Sequence, residues 1–225
     1  KLQDTVIDTR GDILFSRGVV LFEGQTEEQA LPVYATKYWG STIHELGFCF
    51  VRVNGTDYFP FTWLAKALCI PWYIFADGEP DPVNKLDKAL KNAGEAEAKK
   101  CGNVVVLPSG NGFEAQLVAE GYMPEVEGTI DQIEGQAKFL DGYMAALDGK
   151  PKKKGKVRDY KSAGARDRAA LDYLEENKTR MAKPLAEAIS RLKDAGRRFP
   201  KDIASLFEII GKAHDLQKAK DGSEK

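Results

Sequence analysis

Histidine and cysteine are scarce in this chain of 225 residues. The two histidines, His44 and His214, lie far apart in sequence, which argues against a histidine-based metal site or a catalytic triad. The cysteines Cys49, Cys69 and Cys101 are odd in number and form no CxxC pair, so neither a disulfide framework nor a zinc site is indicated. We interpret them as the reduced thiols of a cytoplasmic protein.

Long hydrophobic runs and nucleotide-binding motifs are absent as well. No apolar stretch approaches the roughly 20 residues that a membrane-spanning helix needs. Neither GxxxxGKS/T nor GxGxxG occurs, so we expect no nucleotide site and no membrane segment in this part of the protein. Because the chain begins with Lys1 and not with methionine, we expect it to be a piece of a longer protein.

Charge is unevenly distributed along the chain, although the net charge is only −1. Residues 150–201 contain 17 Lys and Arg against 7 Asp and Glu, while the rest of the chain contains 16 against 27. An acidic body with a basic arm is typical of a metal centre beside a surface that binds a polyanion. A long solvated helix would give the same pattern.

A buried strand that ends in acids is the first functional signal. Residues 19–22 (Val-Val-Leu-Phe) form a short apolar run that stops at Glu23. Thr26 is suited to cap a following helix whose first turn carries Glu27 and Glu28. Glu27 would then reach back toward Glu23, and two close carboxylates repel each other unless a proton or a cation lies between them. The alternative is that Glu23 ends in solvent and Glu27 only favours the helix dipole.

A second apolar run has the same kind of ending. Residues 71–76 lead directly into Asp77 and Glu79. Because the carboxyl ends of parallel strands lie at one edge of a sheet, these acids and those after the first strand are predicted to surround one crevice. Carboxylates without nearby His or Cys select hard cations such as Mg²⁺, Mn²⁺ or Ca²⁺, and two such ions can support phosphoryl chemistry.

The remaining pattern predicts an α/β core followed by helices. Apolar runs at residues 48–53 and 103–107 alternate with helical segments, which indicates a parallel sheet flanked by helices. We place this core at residues 1–122, a helical region that packs on it at residues 123–217, and a disordered tail at residues 218–225. In the helical region, helices are predicted over residues 130–147, 163–181, 185–192 and 203–216.

Together these residues resemble the Toprim domain, in which a strand ending in Glu is followed by an acid four residues later and by a second strand with an acid-x-acid ending. Three segments are similar to the C-terminal part of OLD-family nucleases (overcoming lysogenization defect). They are residues 10–15 (Arg-Gly-Asp-Ile-Leu-Phe), residues 22–28 (Phe-Glu-Gly-Gln-Thr-Glu-Glu) and residues 53–55 (Val-Asn-Gly). The resemblance covers most of the chain and is strongest from Gly11 to Glu79.

The resemblance implies cleavage of DNA with two divalent cations, Mg²⁺ or Mn²⁺, at a site where Ca²⁺ also binds. Glu23 and Glu27 match the first acidic motif and Asp77 matches the second. Glu79 stands where Toprim proteins usually have Asp, and its extra methylene leaves Asp81 as an alternative ligand. In proteins of this family, the C-terminal nuclease half is joined to an N-terminal ABC-type ATPase half. We expect any oligomer to form through the ATPase half.

Three further residues complete the predicted site. Glu114 follows the fourth strand and is expected at the same crevice as a further metal ligand, where Ser109 would assist it. Lys183 resembles the late catalytic lysine of the family, whose ammonium would neutralise charge in the transition state. The alternatives are that Glu114 is only an acid at the start of a helix, that Ser109 is only a turn residue, and that Lys183 is an ordinary surface lysine. Lys183-Pro184 is also predicted to break the helix at this point.

Basic residues of the arm are predicted to contact DNA phosphates without reading the base sequence. They are Lys152, Lys153, Lys154, Lys156, Arg158, Lys161, Arg166 and Arg168, with Arg197 and Arg198 as similar candidates. A solvated helical arm is the alternative for each of them.

Two other functions remain open beside the nuclease. One is another Toprim phosphoryl transferase, such as a topoisomerase or a primase. Strand passage would need a tyrosine nucleophile, and neither Tyr143 nor Tyr160 has a suggestive sequence context. The other is a non-catalytic module that binds metal structurally and uses the apolar stripe of residues 203–210 for assembly.

Overall fold

A four-stranded parallel sheet lies at the centre of the structure. Its strands are β1 (Gly18–Phe22), β2 (Phe48–Arg52), β3 (Trp72–Ala76) and β4 (Val104–Val106). Their order across the sheet is β2-β1-β3-β4, and each neighbouring pair is parallel. The predicted fold class, an α/β protein with a parallel sheet flanked by helices, is confirmed. The structure is a computed structural model that describes residues 11–53, 55, 57–108, 110–152 and 156–219.

Nine α-helices within the described residues connect and cover the strands. They are α1 (Gln25–Trp39), α2 (Phe59–Ala67), α3 (Pro80–Asn92), α4 (Phe113–Ala119), α5 (Met123–Glu134), α6 (Phe139–Leu147), α7 (Ala165–Glu176), α8 (Lys178–Ser190) and α9 (Lys201–His214). Short 3-10 turns lie at Gly11–Phe15, Ala98–Lys100 and Ala195–Arg197.

The strands are apolar without alternation because both faces of the sheet are covered. Every residue of β1 and β3 is buried. Val20 and Phe22 join a hydrophobic cluster formed with α1, α4 and the later helices. Val19 and Leu21 point to the other face, where α2 and α3 complete a second cluster. The two faces therefore hold the strand ends rigidly, and these ends carry the acids of interest.

Two predicted helix boundaries are wrong. Residues 130–147 form parts of two helices, since α5 ends at Glu134 and is capped by Gly135, which has a left-handed φ of 67°. The break expected at Lys183-Pro184 does not occur, because Pro184 lies inside α8. The chain breaks instead at Asn177, between α7 and α8. Burial of one face of α8 against α1 compensates for the single backbone hydrogen bond that proline removes.

The helices after residue 122 pack directly on the core. Helix α8 lies along α1, and α9 contacts β3, β4 and α1. One hydrophobic cluster runs from the sheet through α1 into α7, α8 and α9. The division into regions 1–122 and 123–217 remains a prediction. Of the predicted tail, residues 220–225 lie outside the described residues, while the Ala219 amide donates to the carbonyl of Tyr38 (2.8 Å).

Candidate active site

The carboxyl ends of three strands bring four acids to one edge of the sheet. Glu23 follows β1, and Asp77 follows β3, which pairs directly with β1. Glu27 lies in the first turn of α1, and Glu114 lies in the first turn of α4, which follows β4. We call Glu23, Glu27, Asp77 and Glu114 the acid cluster.

Glu27 is the most deeply buried acid of the cluster. It is only 3% exposed. Burial, followed by the like charges of Asp77 and Glu114, raises the pKa of Glu27 to about 8. Gly24 leaves room for this side chain, since a Cβ at that position would lie 1.8 Å from Oε2 of Glu27. The sequence Glu23-Gly24 therefore allows the second acid to fold back over the end of β1.

Asp77 has the same electrostatic character. Burial, followed by the charges of Glu114, Glu79 and Glu23, raises the pKa of Asp77 to about 6. Its Oδ1 atom is buried and has no hydrogen-bond partner. Buried carboxylate oxygens normally accept hydrogen bonds or bind a cation, so Asp77 is an unsatisfied acceptor at the centre of the cluster.

Glu114 is held by two side chains that the sequence did not connect with it. The Thr26 hydroxyl donates to Oε1 of Glu114 (2.5 Å), and Nζ of Lys178 lies 3.4 Å from the same oxygen. The prediction that Thr26 caps α1 is wrong, because Gly24 occupies the cap position and Thr26 lies within the first turn. Glu114 was expected at the same crevice as the other acids, and in the structure it lies within electrostatic reach of Glu27 and Asp77. Its role as a metal ligand remains a prediction.

Lys178 is the lysine that the structure brings to the acids. It is the first residue of α8 and is only partly exposed. Burial lowers the pKa of Lys178, but the charges of Glu114, Glu27 and Asp77 outweigh this effect and raise it above its ordinary value. The sequence does not single out Lys178, because it predicts one continuous helix over residues 163–181 with Lys178 in its interior. The acids near Lys178 are also distant from it along the chain.

Lys183, the lysine assigned from the resemblance, is not placed in the acid cluster. It is exposed on α8, five residues after Lys178. At about 100° of rotation per residue, the two lysines point in directions about 140° apart. The catalytic role of Lys183 remains a prediction, and the position of Lys178 suits the same task better.

Three further charged residues border the cluster from the solvent side. Burial raises the pKa of Glu23, the nearby Lys85 lowers it, and Glu79 and Asp81 raise it. Glu79 and Asp81 are both exposed, and Asp81 pairs with Lys85 (2.6 Å). These two acids therefore lie within electrostatic reach of Glu23. Whether either ligates a cation remains a prediction.

Tyr58 is a second residue that sequence reasoning missed. It precedes α2 and is 1% exposed, and its hydroxyl has no hydrogen-bond partner. Burial, followed by the charges of Glu23, Glu27 and Asp77, raises the pKa of Tyr58 well above its usual value. Its context, Asp57-Tyr58-Phe59, reads as ordinary core, so no sequence signal pointed to the acids.

The donor chemistry of the cluster fits a hard cation. Its members are carboxylates, Oδ1 of Asp77 is unpartnered, and burial together with neighbouring negative charge raises the pKa values of Glu27 and Asp77, an environment that a bound cation would stabilise. Within the described residues, however, no group of three or more His, Cys, Asp or Glu side chains is close enough to hold an ion as it stands. Ser109, also predicted as a ligand, lies outside the described residues.

The predicted DNA-binding residues are mostly engaged within the protein. Lys152 pairs with Asp172, and Arg158 pairs with Glu176. Arg166 pairs with Glu127 and Asp141, while Arg168 donates to backbone carbonyls of residues 159, 162 and 163. Lys161 pairs with Asp148, and Arg197 lies 3.8 Å from Glu125. Lys156 is exposed, and Lys153 and Lys154 lie outside the described residues. DNA contacts by these residues remain a prediction.

A parallel sheet in the order β2-β1-β3-β4, with acids after β1 and β3, defines a Toprim-like α/β protein. The family model of the "Overcoming lysogenization defect protein-like, TOPRIM domain" matches residues 14–78. Residues 14–78 are thus similar to an OLD-type Toprim domain, in agreement with the resemblance noted in the sequence. A comparison with curated proteins gave no match.

Solved structures similar to this chain are C-terminal regions of OLD proteins. That of Xanthomonas campestris pv. campestris has a TM-score of 0.63 and 21% identity, covering 91% of this chain and 97% of the solved one. That of Burkholderia pseudomallei has a TM-score of 0.60 and 18% identity, covering 89% and 99%. The likeness covers about nine tenths of this chain and shows that the covered part has the fold of these regions. In the described residues, no helix is both long and apolar enough to span a membrane.

Proposed function

We propose that the chain is a metal-dependent DNA endonuclease that hydrolyses phosphodiesters at the acid cluster. The observation that carries this proposal is the buried Glu27 within electrostatic reach of the partly buried Asp77, with both pKa values raised and Oδ1 of Asp77 unpartnered. Such an arrangement is unfavourable without a proton or a cation between the carboxylates. The OLD-type Toprim domain supports phosphoryl transfer as the chemistry that the cation serves.

Glu23, Glu27, Asp77 and Glu114 would hold Mg²⁺ or Mn²⁺, with Ser109 as an additional ligand and Glu79 at the rim. Two such ions would polarise the scissile phosphate, supply a nucleophilic water and stabilise the leaving oxygen. Thr26 orients Glu114 by donating to Oε1, so this carboxylate keeps a fixed direction. Lys178 is placed to neutralise negative charge on a phosphate beside Glu114.

The biological setting of this activity is part of the same proposal. DNA is the substrate, and the exposed Lys156 is one arm residue that can contact its backbone. An N-terminal ATPase half would belong to the full-length protein, and oligomers would form through that half. The scarcity of cysteine and the absence of a disulfide pattern support a cytoplasmic location.

Incubation with supercoiled plasmid tests the proposal. Nicked and linear DNA should form with Mg²⁺ or Mn²⁺ and should not form with EDTA. Glu27→Gln or Asp77→Asn should lower the rate at least about 100-fold, because each removes a charged oxygen donor. Glu28→Gln is the matched control, since this neighbouring acid pairs with Arg52 (3.4 Å) outside the cluster. Full activity of both cluster variants would refute the proposal.

A second pair of variants distinguishes the two candidate lysines. Lys178→Met should reduce cleavage by about 10²–10³-fold while plasmid binding in Ca²⁺ changes little, because the ammonium acts on charge that develops in the reaction. Lys183→Met should cleave at nearly the wild-type rate. The reverse result would return the catalytic role to Lys183.

The same assay separates the remaining functions. Closed topoisomers would indicate strand passage, although the Tyr143 hydroxyl donates to Glu176 (3.0 Å) and that of Tyr160 to Asp172 (2.7 Å), away from the acids. A chain that binds Mn²⁺ but leaves plasmid intact under all conditions would be a non-catalytic module.

A further inference from the structure

Tyr58 has a feature that the nuclease mechanism does not yet use. Its ring packs in the hydrophobic cluster beneath α2 and α3, while its hydroxyl is buried without a partner. A buried hydroxyl that makes no hydrogen bond is unfavourable and calls for an explanation, and one explanation is a partner that it gains in another state of the molecule. The question is which group that partner is.

The fold places Tyr58 within electrostatic reach of the acid cluster. Strand β2 lies beside β1, and the amide of Val53, just after β2, still donates to the carbonyl of Phe22 (2.7 Å). Tyr58 follows Val53 by five residues along the chain and lies immediately before α2. The charged groups that act on its phenol are Glu23, Glu27 and Asp77, and no cation is among them.

A complementary acceptor lies in the same cluster. Oδ1 of Asp77 is buried and unpartnered, as the Tyr58 hydroxyl is. A metal-bound carboxylate commonly accepts a hydrogen bond from a neighbouring group as well as binding the ion, and this hydrogen bond fixes its orientation. The phenol is suited to this task, since it can donate a hydrogen bond and its raised pKa keeps it protonated.

We propose that Tyr58 is a positioning residue of the metal site: when a divalent cation binds, its hydroxyl donates to a carboxylate of the acid cluster, with Asp77 as the acceptor, and holds that ligand in its binding orientation. The inference rests on the proposed metal-dependent function but concerns cation binding, not DNA cleavage. Tyr58 does not touch the substrate in this arrangement, and its effect passes through the acid.

Tyr58→Phe tests the inference, with Mn²⁺ alone as the probe and calorimetric titration as the measurement. The variant should bind Mn²⁺ about tenfold more weakly, because the ligand loses its orienting hydrogen bond. Its melting temperature without metal should equal or exceed that of the wild type, because an unpaired buried hydroxyl is removed. In plasmid cleavage, the Mn²⁺ concentration for half-maximal rate should rise by the same factor.

Tyr34→Phe is the matched control. Tyr34 is also fully buried with an unpartnered hydroxyl, but the charges that act on it are Tyr122 and Glu120, outside the acid cluster. This variant should keep the wild-type affinity for Mn²⁺. Equal affinities of Tyr58→Phe and wild type, or an equal loss in both Phe variants, would overturn the inference. So would a wild-type chain that binds no Mn²⁺. A wild type that binds Mn²⁺ without cutting DNA would remove only the nuclease proposal.

Discussion

Glu27 shows how one residue links the stability of this protein to its chemistry. A carboxyl group that is 3% exposed and faces two other acids can ionise only at a considerable free-energy cost. The fold therefore holds a group that favours either a proton or a cation. Stability at neutral pH is lowered by this arrangement, and a bound cation would restore it.

Raising the pH in the presence of EDTA should destabilise the protein through Glu27 and Asp77. The folded-state pKa values, about 8 and about 6, exceed the ordinary values of 4.5 and 3.8. Their contribution is thus fully present below pH 4 and is lost as the pH rises to about 8, because the unfolded chain releases protons that the folded chain retains. For Glu27 this loss is about 3–5 kcal/mol at roughly 1.4 kcal/mol per pKa unit.

Urea unfolding at a series of pH values measures this loss. Glu27→Gln cannot ionise, so its free energy of unfolding should fall less between pH 5 and pH 8 and should exceed that of wild type at the upper end. Glu28→Gln should follow the wild-type curve, and Mg²⁺ should flatten that curve. Parallel curves for Glu27→Gln and wild type would show that Glu27 is not titrating as described.

At this scale, the sequence predicted the acids but not their partners. Glu23, Glu27 and Asp77 stand at the ends of apolar runs, so the topology of a parallel sheet was enough to bring them together. Lys178 and Tyr58 reach the same place through long-range packing, which leaves no local pattern. Their position beside the acids is a property of the tertiary structure alone.

At the scale of structural elements, hydrogen bonds between the loops that follow β3 and β4 hold the backbone beside Asp77 in place. The amide of Gly78 donates to the carbonyl of Asn111, and the amide of Gly110 donates to that of Gly78, each at 2.9 Å. A Cβ on Gly78 would lie 2.2 Å from the carbonyl oxygen of Pro108 and 2.3 Å from that of Leu107. Only glycine permits this contact, because backbone carbonyls cannot move aside as a side chain can.

Gly78→Ala should therefore destabilise the protein by about 1–3 kcal/mol or more, as overpacking does in a close-packed interior. It should also weaken Mn²⁺ binding, since the adjacent Asp77 must shift. Gly128→Ala is the control: this glycine lies in α5, where a Cβ would meet nothing within 4 Å. There alanine should raise stability by about 0.5–1 kcal/mol. Equal stabilities of the two variants in urea unfolding would contradict the steric argument.

Helix boundaries reveal the limit of prediction at the element scale. All four strands were found because their apolar runs are short and end in turn residues or acids. Pro184 predicts a helix break that does not occur, because packing on α1 keeps α8 continuous. The predicted helix over residues 130–147 runs through Gly135, although this glycine adopts a left-handed φ and caps α5. Local propensity decides such points only when tertiary contacts are weak.

At the scale of the whole molecule, the uneven charge of the sequence acts largely within the protein. Basic residues of the arm pair with acids from the segment of residues 114–141: Lys178 with Glu114, Arg197 with Glu125, Arg166 with Glu127 and Asp141, and Arg180 with Glu134. The composition indicated a surface for a polyanion, but much of the positive charge instead fastens the late helices to the preceding part of the chain.

Arg158 provides the test of this view, because it was predicted to bind DNA and its side chain is only 8% exposed. It pairs with Glu176, and its Nη1 donates to the carbonyl of Pro151 (2.7 Å). Arg158→Gln should lower the free energy of unfolding by about 2 kcal/mol, less than for a fully buried pair because Glu176 is a third exposed. Its affinity for DNA in Ca²⁺, measured by fluorescence anisotropy, should not change.

The exposed Lys156 is the matched comparison for Arg158. Lys156→Gln should leave stability unchanged, and if this lysine contacts a phosphate it should reduce the salt dependence of DNA binding by about one unit in log–log slope. A loss of DNA affinity in Arg158→Gln at unchanged stability would mean that the Glu176 pair opens when DNA binds. In that case the basic arm would serve the polyanion, as its composition indicated, and not the internal packing of the protein.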